Sequence, residues 1–282
     1  MAVILKGKPV ADAIKDNLIK DIEKLKEKGI TPTLAIVRVG NRTDDVSYEN
    51  SILKRCSTMG IETSLFTLDQ DITMGEFTKV LDDINKDKNI QGVLTFRPFP
   101  KHINAEVINA YINTKKDIDC MNPENLEKIF EGKMDGVMPC TPEAVMEILK
   151  FYGYKLEGKN VAVINRSMVV GKPLTMMLLA ENATVTICHS KSKNLSEITS
   201  KADIVITAIG RANMLDNSYF NSDSIVIDVS INDAGEGKIC GDVNFDLVKE
   251  NVAAITPVPG GVGSVTTNLL LKHLVEACKH NA

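Results

Sequence analysis

TPTLAIVRVG, residues 31–40, carries an apolar run from Leu34 to Val39 broken only by Arg38 and closed by a glycine. It is too short for a globular helix and reads as a strand buried on both faces. The segments downstream fix its setting. SYENSILKRCSTMG (47–60) has helical spacing and stops at Gly60. IETSLFTL (61–68) is a second strand, TMGEFTKVLDDINKD (73–87) a helix and IQGVLTF (90–96) a third strand, running into the proline-broken loop RPFPKHIN (97–104). Strands alternating with helices imply a parallel sheet with right-handed crossovers. Ligands then belong beyond the C-terminal strand ends. Upstream, Val10, Ile14, Leu18, Ile22 and Leu25 space a helix over residues 9–28.

The chain turns irregular over 120–142, and a second α/β run begins after the helix PEAVMEILKFYG (142–153). VAVIN (161–165), ATVTICHS (183–190), ADIVITAIG (202–210), SIVIDVSI (224–231) and AAITPVPGGVG (253–263) read as strands, and GKPLTMMLLAEN (171–182) as a helix. TTNLLLKHLVEACKH (266–280) closes the chain as an amphipathic helix. The fold class is α/β, in two α/β domains that divide near residue 140.

With 282 residues, 44% of them hydrophobic and 25% charged, the chain can build a sizeable core. A formal charge of −4 gives no basic field for nucleic acid or an anionic membrane. No apolar run is long enough to span a bilayer, and the start of the chain lacks a signal-peptide core. The expected location is cytoplasmic. Cys56, Cys120, Cys140, Cys188, Cys240 and Cys278 are scattered with no CxxC pair, so they read as inert thiols and no metal site is expected.

VAVINRSMVVGKPL (161–174) sets a strand, a loop and a helix start in succession, where backbone N–H groups can cradle a pyrophosphate. It lacks GxGxxG, so an ordinary βα turn is the competing reading. The next strand ends CHSKSK (188–193) with no carboxylate. Ser190, Lys191 and Lys193 suit a ribose 2′-phosphate, and Arg166 could add a bidentate contact, which favours NADP over NAD. A solvated basic turn is the alternative, and His189 alone more often has a structural role. TPVPGGVGS (256–264) is either a ligand-contacting loop or a tight strand-to-helix turn.

These pieces, with KDID (116–119), PCTP (139–142) and GDV (241–243), resemble in order the methylenetetrahydrofolate dehydrogenase/cyclohydrolase family over nearly the whole chain. The resemblance implies a folate-binding catalytic domain over 1–140, to which a C-terminal helix (266–282) returns, and a Rossmann-type NADP domain over 141–265. It implies a homodimer. It places Tyr48 against the pterin ring of methylenetetrahydrofolate and Asp119 at the ring's polar edge, although on sequence alone Asp117 and Asp119 read as solvated turn residues. Asn165, Arg166 and Ser167 would lie along the cofactor phosphates, Ser190 at the 2′-phosphate and Ile231 near the nicotinamide. Pro259, Gly260 and Gly261 would face substrate or cofactor.

Two positions depart from the pattern. The family places a lysine four residues after the tyrosine and a glutamine that supports it; this chain has Ile52 and Phe96 there. Lys54, six residues after Tyr48, falls about 120° away around the helix. Smaller departures are Asn165 and Cys120 for glycines, where Asn165 is expected to keep the turn at positive φ, Ser264 for a proline, and Arg97 for an apolar residue, where it could approach the folate's acidic tail or be a solvated loop residue. Hydride transfer needs no protein base, whereas adding water to the methenyl carbon does. The expectation is therefore an NADP-dependent dehydrogenase with weak or lost cyclohydrolase activity. The alternatives are a fully bifunctional enzyme in which another group replaces the base, and a non-catalytic folate or NADP binding protein.

Overall fold

The structure is a computed structural model and describes residues 2–280. Residues 281 and 282, which the sequence reading includes in the C-terminal helix, lie outside the described residues. In chain order the first half contains β1 (Val3–Ile4), α1 (Gly7–Glu27), β2 (Thr33–Val39), α2 (Thr43–Met59), β3 (Glu62–Leu68), α3 (Met74–Lys86), β4 (Gly92–Thr95), α4 (Ala105–Tyr111) and α5 (Pro123–Phe130). The second half contains α6 (Cys140–Phe151), β5 (Asn160–Ile164), α7 (Gly171–Ala180), β6 (Thr184–Cys188), α8 (Leu195–Thr199), β7 (Ile204–Thr207), β8 (Ile225–Asp228), β9 (Asn232–Gly235), β10 (Lys238–Cys240), α9 (Phe245–Val248), β11 (Ala254–Ile255) and α10 (Thr266–His280). The two units are α/β, as the alternation of patterns requires.

One compact unit holds residues 14–128, 135–138 and those from 267 onward. Its sheet is three parallel strands in the order β3-β2-β4, with β2 buried along its whole length. The chain leaves β2 toward β3 on one side and returns to β4 on the other, so the C-terminal end of β2 is a topological switch point. Phe77, Leu81 and Ile84 of α3 pack on Ala35, Val37 and Val93 of the sheet. Thr73 caps α3 in a reciprocal box with Glu76, the signature of the TMGE stretch. The C-terminal helix belongs to this unit: Lys279 Nζ lies 2.7 Å from Asp21 Oδ2 on α1, and this bond lowers the Asp21 pKa. The sequence pattern is irregular over 120–142, but Pro123 opens α5 there, a position that suits proline because a first-turn N–H has no helical acceptor.

The other unit holds residues up to 13, 129–134 and 139–266. Six parallel strands run in the order β1-β11-β8-β7-β5-β6, with β9 and β10 forming a separate antiparallel hairpin. The switch point here lies at the end of β5, between β6 and β7. A boundary near 140 assigns the chain's start to the first domain. Instead, Val3 and Ile4 pair with Ala254 and Ile255 and extend the second sheet. Two residues carry no periodicity, so sequence reading could not assign this strand.

Candidate active site

In the 14–128 unit the site grows from the switch point at the end of β2. Asp44 and Asp45 in the first turn of α2 favour the positive end of the helix, and Gly60 ends it at φ 71. Tyr48, Ile52 and Cys56 recur every four residues and share one face. That face runs from solvent into the core: Tyr48 is exposed, while Ile52 and Cys56 are fully buried. The Tyr48 ring packs 5.3 Å from the ring of Phe96, which is buried where β4 ends. The position four residues beyond Tyr48 is therefore apolar and closed to solvent, and the neighbouring strand end adds a second apolar side chain. Lys54 lies on another face, exposed.

A buried ion pair that the sequence did not reveal holds α2 to the sheet. Arg38 Nε on β2 meets Glu49 Oε2 on α2 at 2.8 Å. Other nitrogens of Arg38 donate to the Gly40 carbonyl, Asn41 Oδ1 and Thr67 Oγ1. Such satisfaction is what a buried guanidinium requires. It fixes the helix one residue away from Tyr48.

The KDID segment runs parallel to β4 with Val93 opposite Asp117. Its two carboxylates divide the work. Asp117 is buried and accepts from the backbone N–H groups of Met121 and Asn122 and from Asn125 Nδ2, so it builds the loop and is not solvated. Asp119 is half-buried and follows two residues later, in the bend after this bridge. His273 of α10 bonds through Nδ1 to the Ile118 carbonyl at 2.8 Å and anchors this loop. Cys120 takes the left-handed conformation, φ 53, that glycine would adopt freely.

In the 139–266 unit, Asn165 follows β5 at the switch point. Its Oδ1 accepts from Ser167 N–H, Ser167 Oγ–H and Gly171 N–H, and its Nδ2 donates to the Ala208 carbonyl at 2.6 Å. Asn165 is not among the residues at positive φ, contrary to expectation. It keeps the turn by side-chain hydrogen bonds, the way asparagine most often does. Gly171 is required here, because a Cβ would overlap the Asn165 carbonyl. Arg166 and Ser167 are exposed on this loop. After β6, His189 acts as a turn former: its N–H donates to Ser192 Oγ, and its Nδ1 accepts from Lys191 N–H. The turn presents Ser190, Lys191 and Lys193 to solvent.

Asp242 of GDV organises the far end of this sheet. Its carboxylate accepts from Thr207 Oγ, the N–H groups of Ile209, Gly210 and Arg211, Ser230 Oγ and Asn232 Nδ2. Burial works against the charged form, but these donors outweigh it and hold the pKa below the usual carboxylate value. Nearby Asp228 is buried with two backbone donors, Ser230 and Val243. Burial dominates there and pushes its pKa up to about 7. Asp242 thus ties the loop after β7 to the segment carrying Ile231, which is itself exposed. Ile231 Cδ1 approaches Gly263, so the structure brings the Ile231 loop and the GGVG turn together. In that turn Pro259 and Gly260 are exposed, Gly260 at φ 101, and Gly261 is buried. Gly7 N–H donates to the Gly260 carbonyl at 2.8 Å, and a Cβ on Gly7 would overlap the Gly261 carbonyl. The GG pair therefore has a packing role of its own, whatever else its backbone contacts.

Two family models cover most of the chain: the tetrahydrofolate dehydrogenase/cyclohydrolase catalytic domain matches residues 5–119, and the NAD(P)-binding domain of the same family matches 139–282. The bifunctional protein FolD of Clostridium botulinum (strain Okra / Type B1) is 59% identical over 282 residues, all of both chains. The crystal structure of the bifunctional methylenetetrahydrofolate dehydrogenase/cyclohydrolase FolD from Campylobacter jejuni has a TM-score of 0.98 at 38% identity, again over all of both chains. The Trypanosoma brucei dehydrogenase–cyclohydrolase, solved with NADP cofactor and an inhibitor, has a TM-score of 0.93 at 31% identity, covering 99% of this chain and 98% of that one. No helix among the described residues is long and apolar enough to cross a membrane. One α/β unit carries the Tyr48–Phe96 pair at the end of β4, and the other carries the Asn165-braced loop at its switch point; with both family models matched, this chain belongs to the tetrahydrofolate dehydrogenase/cyclohydrolase family.

Proposed function

We propose that the protein oxidises methylenetetrahydrofolate by hydride transfer to NADP, and that hydrolysis of the methenyl product is weak or lost. The observation that carries the second half is Ile52, fully buried on the Tyr48 face, with Phe96 against Tyr48. Tyr48 gives the pterin a flat aromatic surface, and Asp119 accepts from its amide and amino groups. Loss of hydride leaves a cation that the folate nitrogen lone pair stabilises, so no side chain has to take a proton. Positioning is the protein's main contribution. Hydrolysis differs, since water must be deprotonated as it adds to the methenyl carbon. Neither an isoleucine nor a phenylalanine side chain can accept that proton or orient the water.

NADP is the reading that the exposed Ser190, Lys191 and Lys193 turn supports, since hydroxyl and ammonium groups match a 2′-phosphate. Bound there, NADP would supply the hydride acceptor. Arg166 and the 165–171 loop, held in shape by the Asn165 carboxamide, would take the phosphates. Ile231 and the Pro259–Gly261 turn would flank the nicotinamide and substrate. The T. brucei relative's structure with NADP supports the same choice.

A second reading, retained cyclohydrolase activity, has its own support: the C. botulinum relative and the C. jejuni structure are both named bifunctional. Hydrolysis would then use a group other than the side chains at 52 and 96. Initial rates of NADP reduction by methylenetetrahydrofolate test the dehydrogenase. Robust reduction, with NAD a poorer acceptor, is expected. No reduction with either cofactor would overturn the proposal.

A further inference from the structure

We propose that Arg97 contacts the substrate, donating to the 4-oxo edge of the pterin beside the Asp119 carboxylate, and that the two side chains together select a 2-amino-4-oxo ring. This rests on the folate reading of the site. Arg97 follows Phe96 at the exit of β4, the strand that the segment carrying Asp117 and Asp119 bridges at Val93. Arg97 sits in the bend that follows the strand. Its guanidinium carbon lies 5.5 Å from the centre of the Phe99 ring, and one Nη donates to Asn109 Oδ1. Asn109 is its one hydrogen-bond acceptor among the described residues. A guanidinium has five N–H donors, and this one is half-buried, so the protein leaves most of them for another acceptor. Burial lowers the Arg97 pKa, and the charges of Asp119 and Asp117 oppose that shift, which puts both carboxylates within electrostatic reach of the guanidinium.

That setting discriminates between acceptors. An anionic group, such as a folate tail carboxylate, would have to approach Arg97 against two like charges. A neutral carbonyl meets no such repulsion. The pterin edge carries a carbonyl acceptor next to an N–H and an amino donor. A cation beside a carboxylate is the complementary pair, and a group left without its counterpart is penalised.

The test compares wild type with Arg97→Leu and Arg97→Lys, using mono- and triglutamyl methylenetetrahydrofolate, and competitive inhibition by a 4-oxo pteridine and its 4-amino analogue. Loss of a charge-assisted hydrogen bond should raise KM for methylenetetrahydrofolate roughly 10- to 100-fold in Arg97→Leu. The KM for NADP should stay within about twofold, and Arg97→Lys should recover part of the loss. Inhibition by the 4-oxo pteridine should weaken to the same degree, and inhibition by the 4-amino analogue should barely change. An unchanged KM in folded Arg97→Leu, or equal loss for both pteridines, would overturn the proposal. A loss confined to the triglutamyl substrate would assign Arg97 to the tail and also overturn it. Wild type that neither oxidises the folate nor binds either pteridine would refute the folate reading itself, a separate outcome.

Discussion

Replacing Ile52 by lysine should raise methenyltetrahydrofolate hydrolysis above the native rate. Ile52 lies one turn beyond Tyr48, about 6 Å further along the axis and about 40° around it. Helical side chains lean toward the N-terminus, so the introduced amine would extend toward Tyr48 and Phe96. Burial at that position would pull the amine's pKa down toward neutrality, which is what a base working near pH 7 needs. A positioned base contributes ~10²–10⁴-fold, or about 3–5 kcal/mol of barrier. Stability should suffer, because a fully buried isoleucine contributes roughly 1.5–3 kcal/mol through burial alone. The double variant Ile52→Lys/Phe96→Gln adds a polar side chain that can hold the amine and should hydrolyse faster still. The assay follows loss of methenyltetrahydrofolate absorbance above the buffer-catalysed rate, with NADP reduction as the control for a folded site. If both variants reduce NADP normally but hydrolyse no faster than wild type, the missing lysine is not what limits hydrolysis, and the reasoning fails.

Ser190→Ala should raise KM for NADP roughly tenfold and leave NAD nearly unaffected; equal effects on both cofactors would remove Ser190 from the 2′-phosphate. Arg38→Met or Glu49→Met alone should destabilise by about 3–5 kcal/mol, each leaving a buried charge unpaired, while the double substitution should cost much less. Additive losses in denaturant melts would mean the pair is not coupled. Asp228 carries a raised pKa, so between the unfolded carboxylate range near 4 and its folded value of about 7 the native state holds a proton that the unfolded chain has released. Its contribution to stability must therefore fall as pH rises through that window. The stability of wild type relative to Asp228→Asn should decline from pH 5 to pH 8, and parallel pH curves would contradict the assignment.

The elements that set the fold are legible because they obey local rules. β2 is a buried apolar run, α2 ends where Gly60 permits left-handed backbone, and α3 carries its capping box in four residues. The strand pattern passes over the β9–β10 hairpin. The signal that could have found it is the AGEG stretch, whose Gly235–Glu236–Gly237 turn has positive φ throughout. Features that depend on distant partners stay hidden. Arg38 in a strand looks like an interruption until Glu49 is placed beside it. Asp242 is one acid in a short motif until six donors from two segments, 207–211 and 230–232, converge on it. Asn165 suggests a left-handed backbone where the family has glycine, but the structure uses its side chain. Ile52 is the position where a local rule is most informative: four-residue spacing from Tyr48 fixes its face, and the structure adds that this face is closed to solvent there.

The most direct test of the central claim is the initial rate of methenyltetrahydrofolate hydrolysis by the wild-type protein, read against buffer alone and against the same preparation's NADP reduction. Robust reduction with hydrolysis at the buffer rate is the predicted result. Hydrolysis well above buffer, at a rate comparable with reduction, would contradict it and show that another group moves the proton.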